Sequence, residues 1–149
     1  MSEPNSITRL VIASIASPED QASLQSTLAM PRWNIEFTRS LNALSQAVRT
    51  GSSGVVITGR HLMDGSSWKD VLAALDGHPN RPQLIVADRL ADEALWAEVL
   101  NLGGYDLLVS PFNPIEVDRV VTLAWEFSAR EMIRKGADLC RGAIRDFAA

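Results

Sequence analysis

The chain has 149 residues, of which 46% are hydrophobic and 21% are charged, with a formal net charge of −4. This length supports one domain with a sizeable core, and the composition excludes collagen, coiled-coil arrays and wholesale disorder. A mildly acidic chain lacks the basic footprint that binds phosphate backbones, so we expect no nucleic-acid partner. No apolar run approaches the ~18 residues that span a bilayer, so we expect no membrane partner.

The first residues and the cysteine content indicate the cellular compartment of the protein. The sequence Met-Ser-Glu-Pro-Asn-Ser has neither the basic start nor the apolar stretch of a signal peptide. Cys140 is the single cysteine, which excludes an internal disulfide and a thiolate metal cage. The two histidines, His61 and His78, lie in different predicted loops, so no metal site is expected. Together these features predict a cytoplasmic protein.

Strand and helix patterns alternate along the first part of the chain. Residues 7–15 hold a short β-branched apolar run, typical of a strand that is buried on both faces. Ser17 is suited to cap the following helix, which is predicted to end before Pro31. Residues 33–39 alternate apolar and polar side chains and predict a second strand nearer an edge, followed by a helical stripe over 41–51.

The same alternation continues to the end of the chain. Residues 54–58, 83–87 and 105–109 are short apolar runs that predict three more strands, with helical stripes between them. Pro114 is placed to open a long final helix at its first turn. Five such strand–helix units imply an α/β domain with a mostly parallel sheet and helices on both faces. The functional crevice of such a sheet lies beyond the carboxyl ends of its strands.

Two motifs resemble those of one known family. Residues 103–112, Gly-Gly-Tyr-Asp-Leu-Leu-Val-Ser-Pro-Phe, resemble the fifth-strand signature of response-regulator receiver domains, which usually reads Gly-Ala-x-Asp-Tyr-Leu-x-Lys-Pro-Phe. Residues 63–65, Met-Asp-Gly, resemble the loop after that family's third strand. The resemblance covers roughly residues 7–127 by the spacing of βα units. It implies a flavodoxin-like, doubly wound (βα)5 sheet of strand order 2-1-3-4-5, with Pro111 as a candidate for a cis peptide bond.

The chemistry of receiver domains requires groups that this sequence does not supply. The resemblance implies two acids that hold Mg²⁺, an aspartate that is phosphorylated, a hydroxyl residue after strand four and a lysine after strand five. These positions fall on Ser14 and Ile15, on Gly59 or Thr58, on Ala87 and on Ser110. Without the carboxylates and the nucleophile, we expect no bound Mg²⁺, no cofactor and no enzymatic activity. The sequence therefore predicts a degenerate receiver, or pseudo-receiver.

Two acids close to these positions are alternative phosphoryl acceptors. Asp88 lies one residue beyond the Ala87 position and is near enough in sequence to turn into the crevice. Asp64 belongs more naturally to the loop after strand three, where Asp-Gly shapes a turn.

The chain continues beyond the receiver-like part. The predicted domain covers residues 1–127, and residues 128–149 form a helical extension, so that the last helix spans about 33 residues or ~50 Å. Residues 130–145 hold five basic and two acidic side chains beside an apolar face. An apolar face that projects from a domain usually marks a partner surface, and we favour a homodimer over a helix that breaks at Gly136 or Gly142 and folds back. The expected dimer or partner surface is Trp125, Met132, Ile133, Leu139, Cys140 and Ile144.

These observations favour a signalling module that acts through protein partners and self-association. By analogy with receivers, the face of the fourth helix and fifth strand is the expected partner face, with Arg89, Trp96 and Tyr105 as its candidates. Two alternatives stay open: a working phosphotransfer receiver with a non-standard acceptor, and a flavodoxin-like domain that binds a small ligand in the crevice.

Overall fold

The computed structural model describes residues 9–29, 31–51 and 53–148, with side chains through residue 138. Within these residues, five strands alternate with five helices. The strands are β1 (Arg9–Ser14), β2 (Trp33–Phe37), β3 (Val55–Gly59), β4 (Gln83–Asp88) and β5 (Asp106–Val109). The helices are α1 (Pro18–Thr27), α2 (Leu41–Thr50), α3 (Trp68–Asp76), α4 (Glu93–Leu102) and α5 (Pro114–Ala148).

The strands form a single parallel sheet in the order β2-β1-β3-β4-β5. This confirms the predicted flavodoxin-like fold, its strand order and its long final helix. The predicted bounds differ only at the ends: β2 stops at Phe37 and β5 begins at Asp106. The polar alternation of β2 is also confirmed, because β2 lies at the sheet edge with Trp33 buried and Glu36 exposed.

The core has two layers because neighbouring residues of a strand point to opposite faces. Val11 and Ala13 of β1 pack with α1 and α5, whereas Ile12 packs with α2, α3 and α4. All three side chains are fully buried, which explains the unbroken apolar runs of β1, β3 and β4. Each buried aliphatic side chain contributes roughly 1.5–3 kcal/mol to folding.

Local signals fix where the helices begin and end. The Ser40 hydroxyl accepts a hydrogen bond from the Ala43 amide at 3.0 Å, and the Asp92 carboxylate accepts one from the Leu95 amide at 2.8 Å. Gly103 ends α4 with φ of 104°, a left-handed conformation that favours glycine. These caps therefore fix the residues at which α2 begins and at which α4 begins and ends.

Helix α5 covers the sheet and then runs past its amino-terminal edge. At the start of β3, a Cβ on Gly54 would lie 3.3 Å from the Ser128 Cβ, so α5 passes directly over this edge. The helix continues to Ala148 without the break considered at Gly136 or Gly142. No helix of the described residues is long and apolar enough to cross a membrane.

Candidate functional site

A cleft of about 430 Å³ opens at the carboxyl edge of the sheet, where β1, β3 and β4 end. It is bounded by the loop that leads into α1, by the residues after β3 and by the residues after β4. The lining residues are Ile15, Ala16, Ser17, Asp20, Gly59, Arg60, His61, Ala87, Asp88, Arg89 and Leu90. The predicted crevice therefore exists, and both acidic and basic side chains line it.

The structure places the six predicted pocket positions around this cleft. Ile15, Gly59 and Ala87 line it directly. Ser14 and Thr58 lie side by side in the parallel register and are both buried. The Thr58 hydroxyl donates a hydrogen bond to the Gly59 carbonyl at 3.1 Å. The floor of the cleft is thus apolar or internally hydrogen-bonded.

Ser110, the sixth position, is buried and paired with an acid of α1. Its hydroxyl donates a hydrogen bond to the Asp20 Oδ1 at 2.6 Å. The second oxygen of Asp20 lies 4.0 Å from the Arg89 Nε, and Arg89 also contacts the Glu19 carboxylate at 3.4 Å. The Ser110–Pro111 peptide bond is cis. Asp20 therefore binds the hydroxyl of the residue at the position where the resemblance implies a lysine, and it also lies near a guanidinium.

Asp88 occupies the opposite wall of the cleft. Its Oδ1 accepts a hydrogen bond from the Arg89 amide at 3.0 Å, and its Oδ2 lies 3.5 Å from the Arg60 Nη1. The Oδ2 atom is buried and accepts no hydrogen bond from the described residues. Arg60 is thus an ion-pair partner of Asp88 that is too distant for a good hydrogen bond.

These donors do not fit the Mg²⁺ ion that receiver domains use. Mg²⁺ requires oxygen ligands in near-octahedral geometry, usually with one or two carboxylates. Each of the two partly buried carboxylates of this cleft, Asp20 and Asp88, already lies within 4.0 Å of an arginine. The part of the chain with described side chains holds no group of three or more histidine, cysteine or acidic side chains arranged to bind a metal. The arginines of this cleft are therefore placed to balance the charge of its own carboxylates.

Asp64, the second alternative acceptor, does not line the cleft. Its carboxylate accepts hydrogen bonds from the Leu41 and Ser66 amides, both at 2.9 Å. These bonds lower the pKa of the Asp64 carboxyl below its ordinary value of 3.8. Asp64 therefore joins the loop after β3 to the first turn of α2. Its bond to the Ser66 amide lies within the turn that Asp-Gly predicts.

The predicted partner face has two exposed residues and one that is partly buried. Trp96 is 48% exposed, and its indole nitrogen donates a hydrogen bond to the Asp106 carboxylate at 3.3 Å. Tyr105 packs against the core, with its ring 5.8 Å from that of Phe127. Burial and the neighbouring Asp106 carboxylate raise the pKa of the Tyr105 phenol. Exposed Arg89 belongs to the cleft as well as to this face.

The predicted dimer surface on α5 is described in part. Met132 is 49% exposed and Ile133 is 74% exposed, while Trp125 is partly buried against the core. The side chains of Leu139, Cys140 and Ile144 lie outside the described residues. The described half of this surface is therefore apolar and accessible.

The sequence did not identify Asp20 and Arg60 as site residues. An acid in the first turn of a helix is expected from the helix dipole alone, so the position of Asp20 in α1 gives no separate signal of a site. Its partner Ser110 is 90 residues away in the chain. The available signal was topological: the loops after β1 and β5 meet at the same edge of a parallel sheet.

No protein-family model and no curated protein matches the chain, but solved structures share its fold. The signal receiver domain of an HD domain-containing protein from Pseudomonas fluorescens Pf-5 has a TM-score of 0.74 at 18% identity, covering 90% of this chain and 98% of that one. A CheY-like receiver domain protein from Methanospirillum hungatei JF-1 gives 0.66 at 18%, covering 85% and 99%. The N-terminal receiver domain of a two-component response regulator from Bacteroides fragilis gives 0.69 at 14%, covering 80% and 98%. The chain therefore has the fold of response-regulator receiver domains.

Proposed function

We propose that this chain is a pseudo-receiver, a cytoplasmic signalling module that acts by protein–protein contacts and needs no phosphorylation. The observation that carries the proposal is the composition of the cleft. Its two partly buried carboxylates, Asp20 and Asp88, each lie within 4.0 Å of an arginine, and Ser110 stands where receivers have a lysine. On this proposal the protein is not an enzyme and has no Mg²⁺ cofactor.

The substitutions also remove the usual route from phosphorylation to a change of shape. A receiver couples its phosphoryl group to a hydroxyl after strand four, whereas Ala87 has no hydrogen-bonding side chain there. The Ser110 hydroxyl is already committed to Asp20. A phosphoryl group in this cleft would meet no free hydroxyl or lysine at the family's two positions. We therefore attribute any regulation to partner binding.

The test is incubation of the protein with acetyl phosphate and Mg²⁺, followed by intact-mass measurement. The proposal expects no added phosphoryl group, while an orthodox receiver domain treated in parallel gains one. A Mg²⁺ titration by isothermal titration calorimetry is expected to give no saturable heat of binding. A gain of one phosphoryl group would contradict phosphorylation independence.

One observation favours a second candidate, a phosphotransfer receiver that uses Asp88. Asp88 lines the cleft, and its buried Oδ2 accepts no hydrogen bond from the described residues, so this carboxylate is less engaged than that of Asp20. If the protein gains a phosphoryl group, Asp88→Asn should abolish the gain under this alternative. Asp64→Asn is the matched control because Asp64 does not line the cleft. Loss of the phosphoryl group in only the first variant would establish the alternative.

We also propose that α5 mediates self-association. The support is the exposed apolar side of the helix beyond the sheet edge, where Met132 and Ile133 lie. Ile133→Glu should convert a dimer to a monomer in light scattering. Ile115→Glu is the matched control, since Ile115 lies on the same helix and is 80% exposed. A monomeric wild-type protein would contradict the proposal.

A further inference from the structure

A second cavity lies at the opposite, amino-terminal edge of the sheet. It is a groove of about 610 Å³ between α5, the start of β1, the end of α2 and the loops that precede β3 and β4. Its apolar walls include Leu10, Val48, Trp125 and Met132. This volume lies within the range of small-molecule sites, which combine apolar walls with a few polar groups. The groove shares no residue with the strand-end cleft.

The groove is positively charged although the chain as a whole is acidic. Arg9 and Arg49 line it, and no aspartate or glutamate of the described residues does. The acids on the flanking helices are paired elsewhere: Asp76 with Arg81 at 2.9 Å, and Glu126 with Arg130 at 4.0 Å. In the same way, Glu131 lies 3.8 Å from Arg134. The groove therefore offers cationic groups to an incoming molecule, and the acids that flank it are engaged with other arginines.

Arg9 is the central cation of this groove. Its guanidinium lies 4.1 Å from the centre of the Trp125 ring and 5.5 Å from that of Trp33. Its Nη1 atom is buried, and the described residues give Arg9 neither a hydrogen-bond acceptor for this atom nor an ion-pair partner. The two indole rings hold the cation in place, but they do not neutralise it. A partly desolvated charge without a counter-ion favours the binding of an anion.

We propose that this groove binds a small organic anion with an apolar body. Its carboxylate lies on Arg9, and its apolar part extends along Trp125 and Met132. The positive charge of Arg9 favours a carboxylate in the ligand, and the apolar walls of the groove favour an apolar body. Trp125, Met132 and Ile133 line this groove and also belong to the surface that we assign to self-association, so the anion and a second copy of the chain would compete for these residues.

The test is isothermal titration calorimetry of the full chain with 1-naphthylacetate and with its neutral analogue, 1-naphthylacetamide. The acid is expected to bind about tenfold or more tightly than the amide. Arg9→Met should weaken binding of the acid by a similar factor. Arg32→Met is the matched control, since Arg32 also lies over the Trp33 ring at 5.7 Å but does not line the groove. Its affinity should stay within about twofold of wild type.

A second variant keeps the test decisive if Arg9→Met does not fold. Ala129→Trp adds a large side chain that fills the groove from α5 and leaves the charge of Arg9 unchanged, and it should abolish binding of the acid. Equal affinity for the acid and the amide would overturn the proposal. So would the absence of binding to the wild-type protein. If the wild-type protein does not bind the acid and the Trp125 indole signal in NMR shifts with protein concentration alone, the groove is occupied by a second copy of the chain.

Discussion

The hydrogen bond between Ser110 and Asp20 ties the last strand to the first helix. Ser110 is only 4% exposed and the Asp20 side chain only 13% exposed. The donor–acceptor distance of 2.6 Å is typical of a hydroxyl that donates to a carboxylate. Replacing Ser110 by alanine removes the donor and leaves an oxygen of a largely buried carboxylate without this hydrogen bond.

The expected cost follows from the surroundings of the carboxylate. A hydrogen bond to a charged group contributes about 1.5–3 kcal/mol to stability. The nearest alternative partner of Asp20 is Arg89 at 4.0 Å, which compensates only in part. We therefore expect Ser110→Ala to reduce the free energy of unfolding by about 2 kcal/mol. For a domain of this size, this corresponds to a fall in Tm of about 4–8 °C.

Urea unfolding followed by circular dichroism measures this loss, and Ser128→Ala is its matched control. Ser128 is equally buried, at 3% exposed, but its hydroxyl makes no hydrogen bond to a described residue. Its replacement should change the free energy of unfolding by less than about 0.5 kcal/mol. Equal losses in the two variants would refute the reasoning, because burial of a serine and not the bond to Asp20 would then set the cost.

Three further predictions concern packing and ionisation. Gly104→Ala would place a Cβ 2.5 Å from the Val99 Cγ1 and should cost about 1–3 kcal/mol in urea unfolding. Gly77→Ala, whose Cβ would have no neighbour closer than 3.9 Å, should show no such loss, and equal losses would contradict the packing argument. The Asp64 carboxylate stabilises the fold above its ordinary pKa of 3.8 and loses this effect as the pH falls through its lowered folded-state pKa. Asp64→Asn should therefore reduce Tm at neutral pH, and the difference from wild type should shrink in acid; a difference independent of pH would contradict this. Tyr105 is the single tyrosine, so the phenolate absorbance should titrate with a pKa above 10.0, and a midpoint at or below that value would exclude the effect of burial.

The sequence predicted the fold well because each strand has a strong local pattern. β1, β3 and β4 are buried on both faces and are therefore continuous apolar runs. The strand order is not contained in that periodicity. It came from the resemblance of residues 103–112 to a receiver signature, and the observed sheet confirms it.

The candidate site was less predictable from the sequence. Ser14, Ile15, Gly59 and Ala87 could be placed at the strand ends because strand ends follow from apolar runs. The pairing of Asp20 with Ser110 could not, since it depends on how two distant loops meet. The role of Arg9 was also hidden, because a strand pattern does not show that two tryptophans from other elements enclose its guanidinium.

The charges of the two sheet edges differ in a way that net charge does not reveal. At the carboxyl edge, Asp20 and Asp88 lie near Arg89 and Arg60, so the cleft is balanced within itself. An external cation there must displace a guanidinium that is already tethered beside its acid, and it gains little from doing so. At the amino edge, Arg9 has no described counter-ion. Because charge complementarity favours the edge whose charge is unbalanced, an ionic ligand should be sought in the groove beside α5 before the cleft that receivers use.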